Sequence, residues 1–94
     1  MQIEVTHDIE NKKFIAIVDG KECYLRYRMR GEDTIDLYYT YVPYDFRGRG
    51  IASEIVKEAF NYARENSLIV IPTCPYIWTF LERHSEFQDV IIGS

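Results

Sequence analysis

Apolar and polar residues alternate through most of the first half of the chain. Residues 3–7 (IEVTH) and 13–18 (KFIAIV) read as strands, with a polar turn at residues 9–12 between them. Asp19-Gly20 follows, a strong type I′ hairpin signal. Residues 22–29 set Cys23, Leu25, Tyr27 and Met29 against Glu22, Arg26 and Arg28, the pattern of a half-buried strand with one wet face. A turn at residues 30–33 leads into a strand over 34–42, stopped by Pro43. Alternation puts Tyr39 and Tyr41 on one face of that strand and Tyr38 on the other.

The period then changes. Ile51, Ala52, Ile55, Val56, Ala59, Phe60 and Ala63 fall at helical spacing and form one apolar stripe, closed by Asn66-Ser67. Residues 68–71 (LIVI) are wholly apolar, as expected of a buried strand. A second helix is predicted over residues 76–85, with Ile77, Phe80, Leu81 and His84 at helical spacing. Phe87, Val90 and Ile91 of the tail are expected to dock on the domain. The order β-β-β-β-α-β-α predicts one α/β (mixed α+β) domain over residues 1–94. Its sheet is mostly antiparallel and mixed, and one crossover makes the last strand parallel to its predecessor. A helix on each face gives a three-layer α-β-α arrangement.

Composition narrows this picture. Ninety-four residues, 47% of them apolar and 28% charged, suit one small globular domain and exclude a disordered chain. No apolar run approaches the roughly 20 residues that span a bilayer. The N-terminus does not read as a signal peptide, so a cytoplasmic monomer with no membrane partner is expected. The net charge of −4 argues against nucleic acid as a partner, which needs a broad basic surface. Cys23 and Cys74 lack C-x-x-C spacing, and two thiols alone are a poor metal signal, so no metal is expected.

One junction runs against the acidic balance. YDFRGRGIA, residues 44–52, packs two arginines and two glycines between a strand and a helix. Free amides at a helix N-terminus, glycines that let the backbone approach, and forked arginine donors together suit a phosphate or pyrophosphate. The loop lacks the G-x-x-x-x-G-K-[ST] string. The G-x-G-x-x-G fingerprint fails at its third glycine, where Ser53 stands. A basic surface turn with a capping glycine is the plainer alternative.

Arg47-Gly48-Arg49-Gly50-Ile51-Ala52 resembles the acyl-CoA-binding signature Q/R-x-x-G-x-G/A of the GNAT (GCN5-related) N-acetyltransferases. It follows a strand ending in Val42-Pro43 and opens a long helix, as in that family. The chain is similar to small single-domain members in which Pro72-Thr73-Cys74-Pro75-Tyr76 follows at this spacing. The resemblance implies a GNAT-like fold and acetyl-CoA, or coenzyme A, as cosubstrate. It implies that backbone amides across Arg47, Gly48, Arg49, Gly50, Ile51 and Ala52 hold the pyrophosphate. It also implies that the strand end at Tyr41 and Val42 pairs with the pantetheine arm. In larger members a helical segment after the first strand helps wall the acceptor site; here residues 9–12 leave room only for a turn.

Cys74 precedes Pro75, which suits a first helical position, so the thiol stands near a helix N-cap where the dipole favours a thiolate. In a GNAT-like sheet that lies beside the acetyl group. Cys74 is therefore a candidate acyl carrier, with a buried structural cysteine as the alternative. Tyr76 is the candidate proton donor to departing CoA thiolate. Cys23, mid-strand, reads as core; His7 reads as exposed; His84 reads as a helix-terminal or surface residue. Trp78 and Phe80 read as core or pocket wall. Glu32, Asp33 or Asp36 could act as a base only if one faced the cleft. The leading expectation is transfer of an acetyl group to a small-molecule or peptide amine, directly or through Cys74. A non-catalytic CoA sensor and an interaction module built on the RGRG loop are the alternatives.

Overall fold

The computed structural model describes residues 3–93. In chain order it contains β1 (Thr6–Asp8), β2 (Lys13–Val18), β3 (Lys21–Met29), β4 (Thr34–Tyr41), α1 (Ile51–Glu65), β5 (Ile69–Ile71) and α2 (Pro75–Arg83). Short 3₁₀ segments occupy Tyr44–Phe46 and Ser85–Val90. The order is the predicted one, and the sheet runs β1-β2-β3-β4-β5, with only the β4–β5 pair parallel. The first strand covers residues 6–8 rather than 3–7; Ile3 and Val5 pack partly buried on the core outside it. No helix among the described residues is long and apolar enough to cross a membrane.

Local chemistry accounts for most of these elements. Asp19 (φ 50°) and Gly20 (φ 76°) join Val18 to its partner Lys21, the two positive dihedrals that a type I′ turn requires. The stripe on α1 buries Ile51, Ile55, Val56, Ala59, Phe60 and Ala63, and each large side chain among them contributes about 1.5–3 kcal/mol. Facing them are Phe14, Ala16, Cys23, Leu25, Ile35 and Leu37, all essentially inaccessible to solvent. Phe87 and Ile91 dock from the tail as expected, and the Ile92 amide donates to the Val70 carbonyl.

The mixed fold stands, but its layering is corrected: both helices lie over one face of the sheet. Phe60 of α1 and Phe80 of α2 stack at 5.5 Å. The opposite face carries exposed Ile17, Glu22, Arg26, Arg28 and Tyr39, and among the described residues no helix lies over it. A third layer would have to bury the Arg26 and Arg28 charges, which is costly without partners.

A β-bulge corrects the tyrosines. Arg26 pairs with Tyr39 and Tyr27 with Leu37, so Tyr38 is an extra residue in β4. The bulge resets the alternation by one position. Tyr38 lies under the Arg28 guanidinium at 4.3 Å, on the same open face as Tyr39 and Tyr41. Thr40 and Val42 turn to the helix side instead.

His7 is not simply exposed. Its ring stacks on Phe14 at 4.1 Å and meets the edge of Tyr62 at 4.4 Å, and its Nε2 lies 2.6 Å from the Tyr27 hydroxyl. Burial pushes its pKa below the ordinary 6.5, against the opposing pull of the Asp8 carboxylate. Between the folded pKa and 6.5 the unfolded chain therefore binds more protons. The stability contributed by neutral His7 is complete above 6.5 and is lost as pH falls below it. Melting temperature followed down from neutrality should fall in the wild type, and His7→Phe should flatten that part of the curve. Parallel curves for the two proteins would rule this out.

Candidate functional site

A cleft of about 570 Å³ opens between the end of β4, the loop that follows it, the first turn of α1 and one side of α2. Its floor is set by α1. Gly50 caps that helix at φ 79° and Gly48 takes φ 82°, both in the left-handed region. Beyond the adjoining residues, no atom of the described chain lies within 4 Å of where a Cβ would stand at either glycine, so conformation and not crowding selects the residue, and the space above stays open. Glu54 is the first residue of α1 to donate back along the helix, to the Gly50 carbonyl at 3.2 Å. Among the described residues, nothing accepts a hydrogen bond from the successive amides of residues 48–53. This run of free donors carries the positive end of the helix dipole.

Arg47 supplies a full charge beside it. Its Nε donates to the Val42 carbonyl at 3.0 Å, and its guanidinium lies 5.7 Å from the centre of the Tyr44 ring. These contacts hold the arginine at the cleft mouth and leave the rest of its fork to a ligand.

The wall beside the loop is an open strand edge. β4 pairs with β5 only from Thr34 to Asp36, after which the Cys74 amide donates to the Leu37 carbonyl at 2.9 Å. Past that point the two chains part. Among the described residues no strand pairs with β4 on this side, while its other side remains bonded to β3 up to the pair Tyr24–Tyr41. The bulge aims Thr40 and Val42 into the cleft along this edge.

α2 forms the far wall with Tyr76, Thr79, Phe80, Arg83 and His84. Burial raises the Tyr76 pKa, while the Ser53 hydroxyl and the Arg83 charge pull the other way. The His84 ring stacks on Phe80 at 4.3 Å and its Nε2 lies 3.4 Å from the Ser53 hydroxyl. A proton-bearing phenol, a hydroxyl and an imidazole thus converge above the first turn of α1.

The structure therefore gathers Val42, Arg47, Gly48, Gly50, Ile51, Ala52 and Tyr76 at one cleft. It does not bring all the expected residues there. Tyr41 packs its ring on Tyr24 at 5.5 Å on the open face, so only its backbone is at the strand edge. Arg49 lies against Phe46 outside the lining. Cys74 caps α2 ahead of Pro75, as expected, but it is buried, with its Sγ 3.4 Å from the Thr40 hydroxyl, which stands at the lining where Cys74 does not. Cys23 lies wholly in the core, where burial raises its pKa.

Other residues change place. His84 ends α2 as predicted, yet it lines the cleft rather than the outer surface. Trp78 is half exposed and outside the lining. Asp36 is buried under Arg28, Arg30 and Thr73, and Glu32 and Asp33 are exposed; none of the three acids reaches the cleft. Thr40, Ser53, Thr79 and Arg83 were not singled out from sequence. Thr40 needed knowledge of the bulge. The other three carried a weak signal, as polar residues close to a cleft-facing helical stripe. Among the described residues no cluster of His, Cys, Asp or Glu is arranged to hold a metal ion.

A family model described as GCN5-related N-acetyl-transferase matches residues 13–90. Protein NATD1 of Xenopus tropicalis is 36% identical over 84 residues, covering 87% of this chain and 77% of that protein. Protein NATD1 of Danio rerio is 32% identical over 95 residues, covering 97% and 86%. Among solved structures, the solution structure of a GCN5-like candidate N-acetyltransferase from Staphylococcus aureus superimposes with a TM-score of 0.75. It is 27% identical and covers 97% of this chain and 89% of its own. With its glycine-arginine loop, free helix amides and open strand edge, the chain belongs to the GCN5-related N-acetyltransferase family.

Proposed function

We propose that the protein binds acetyl-CoA and transfers its acetyl group directly to an amine. The observation that carries this reading is the run of unbonded amides at residues 48–53, opening onto a cleft that continues along the free edge of β4. In the proposed complex the pyrophosphate takes the amides and Arg47. The pantetheine arm takes the backbone of β4 at Tyr41 and Val42, and the thioester lies toward Thr40 and Tyr76.

The amine nitrogen attacks the thioester carbonyl, the carbon–sulfur bond breaks, and the CoA sulfur leaves with the electron pair. Tyr76 then gives its phenolic proton to that sulfur, and the amine's surplus proton passes to water. A raised pKa suits this donor, because the phenol stays protonated through neutral and mildly alkaline pH. Cys74 is proposed to position Thr40 and the β4–α2 junction rather than to carry the acyl group, since its thiol is buried behind the lining.

CoA release from acetyl-CoA with a panel of small amines and peptide N-termini tests the reaction. Tyr76→Phe should lower kcat by about a hundredfold, the scale of general-acid catalysis, with little change in KM. Cys74→Ala should retain most turnover and form no acetyl adduct by mass spectrometry. Loss of turnover on Cys74→Ala, with an acetylated wild-type cysteine, would establish the two-step route instead.

A second reading has one observation in its favour. The four-residue turn after β1 leaves the far face of the sheet without a helix, so among the described residues no segment walls an acceptor there. On that reading the protein is a CoA-binding sensor. CoA binding with no turnover on any amine of the panel would select it.

A further inference from the structure

The cations of this acidic chain are unevenly partnered. Lys13, Arg28, Arg30, Lys57 and Arg64 each pair with a carboxylate. Among the described residues Lys12, Arg26, Arg47 and Arg83 do not, and neither do Lys21 and Arg49, although Asp and Glu outnumber Lys and Arg by 15 to 11. The last two gather at one ring: the Arg49 guanidinium lies 5.4 Å from the centre of Phe46, and the Lys21 ammonium lies 5.9 Å from the same centre. Phe46 is itself buried at the cleft rim. Two like charges around one ring repel each other, and a dianion at that rim would relieve the repulsion.

CoA offers such a group. Besides the pyrophosphate it carries a phosphomonoester on the ribose. One sugar joins the two, so with the pyrophosphate on the amides of residues 48–53 the monoester must lie beside the cradle and outside it. Backbone amides suit the diester-like pyrophosphate, whereas a terminal monoester, close to two charges at neutral pH, is better met by full cations. We propose that Lys21, together with Arg49, binds the ribose 3′-phosphate, so that the protein distinguishes CoA from dephospho-CoA. The proposal rests on the acetyl-CoA reading above and adds a residue from the β2–β3 hairpin that the loop motif does not contain.

The test is calorimetric titration of the wild type, Lys21→Met and Lys21→Arg with CoA, dephospho-CoA and inorganic phosphate at low ionic strength, where exposed charges act most strongly. The wild type should bind CoA about tenfold more tightly than dephospho-CoA. Lys21→Met should reduce that ratio to about threefold, the share left to Arg49, without changing dephospho-CoA affinity, and Lys21→Arg should restore it. Inorganic phosphate should bind far more weakly than CoA and with little dependence on residue 21, which assigns the effect to the tethered monoester. A wild-type ratio near one, or a high ratio unchanged in Lys21→Met, overturns the proposal while leaving CoA binding intact. Failure of both nucleotides to bind overturns the CoA reading and this proposal together. Thermal melts of the variants, expected to match the wild type because Lys21 is exposed, separate a lost contact from a lost fold.

Discussion

Alanine at both Arg47 and Arg49 will weaken acetyl-CoA binding by about a hundredfold. A hydrogen bond to a charged group is worth about 1.5–3 kcal/mol, or about tenfold and more in affinity for each arginine. The two losses differ in kind. Arg47 holds the Val42 carbonyl and lines the cleft, so its removal takes a fork from the proposed pyrophosphate site and loosens the strand end as well. Arg49 sits with Lys21 at Phe46, so its removal should weaken CoA more than dephospho-CoA. Both side chains are exposed, and neither substitution should cost much stability. Backbone amide resonances report the result directly. In the wild type, added acetyl-CoA should shift residues 42–53 and those around Cys74; in the double variant the same concentration should leave them nearly still. Equal shifts in the two proteins would mean that the arginines add nothing to the loop amides, and no shift in either would mean that the loop is a surface turn.

Phe60→Ala will cost about 3–5 kcal/mol, a large part of the roughly 5–15 kcal/mol expected of a small domain. Phe60 has no solvent exposure, and its ring stacks on Phe80 at 5.5 Å and meets Phe87 at 5.3 Å. It therefore joins α1, α2 and the C-terminal 3₁₀ segment at one point. Removing it leaves a cavity that those rings cannot all close, since each is also held elsewhere. Because Phe80 also lines the cleft, the variant should bind acetyl-CoA less well even at temperatures where it stays folded. Phe60→Leu should cost much less, since it keeps most of the volume and stays apolar. Urea unfolding of the three proteins decides the matter: a loss below about 1 kcal/mol for Phe60→Ala would mean that this aromatic junction does not hold the two helices together.

Much of this molecule was legible before its structure. The Asp19-Gly20 turn, the stripe on α1 and Pro75 opening α2 are local features, decided by dihedral preference and by periods of two or 3.6 residues. The glycine-arginine loop was legible for the same reason. Gly48 and Gly50 are needed for their own dihedral angles, and a helix start exposes amides whatever surrounds it. The open outer face was legible too. Glu22, Arg26 and Arg28 alternating along β3 already excluded a buried second face, and the expected third layer contradicted that pattern.

What the sequence alone determined, then, is the order of elements, the hairpins, the two helices and the place of the glycine-arginine loop, because each depends on residues a few positions apart. What only the tertiary structure decided depends on partners far along the chain. The bulge opposite Arg26 and Tyr27 reverses the facing of Tyr39, Thr40 and Tyr41, and no run of residues in β4 announces it, since it exists only in the pairing with β3. His7 lies among Phe14, Tyr27 and Tyr62, and His84 over Phe80 and Ser53, rather than in water, because strand and helix packing carries them there. Cys74 is buried beside Thr40, and Lys21 and Arg49 are brought to the one Phe46 ring, by the same long-range contacts. Local sequence fixes dihedral angles and periodicity. Which side chains share a cleft is set by the closure of the whole sheet and the packing of both helices on one of its faces.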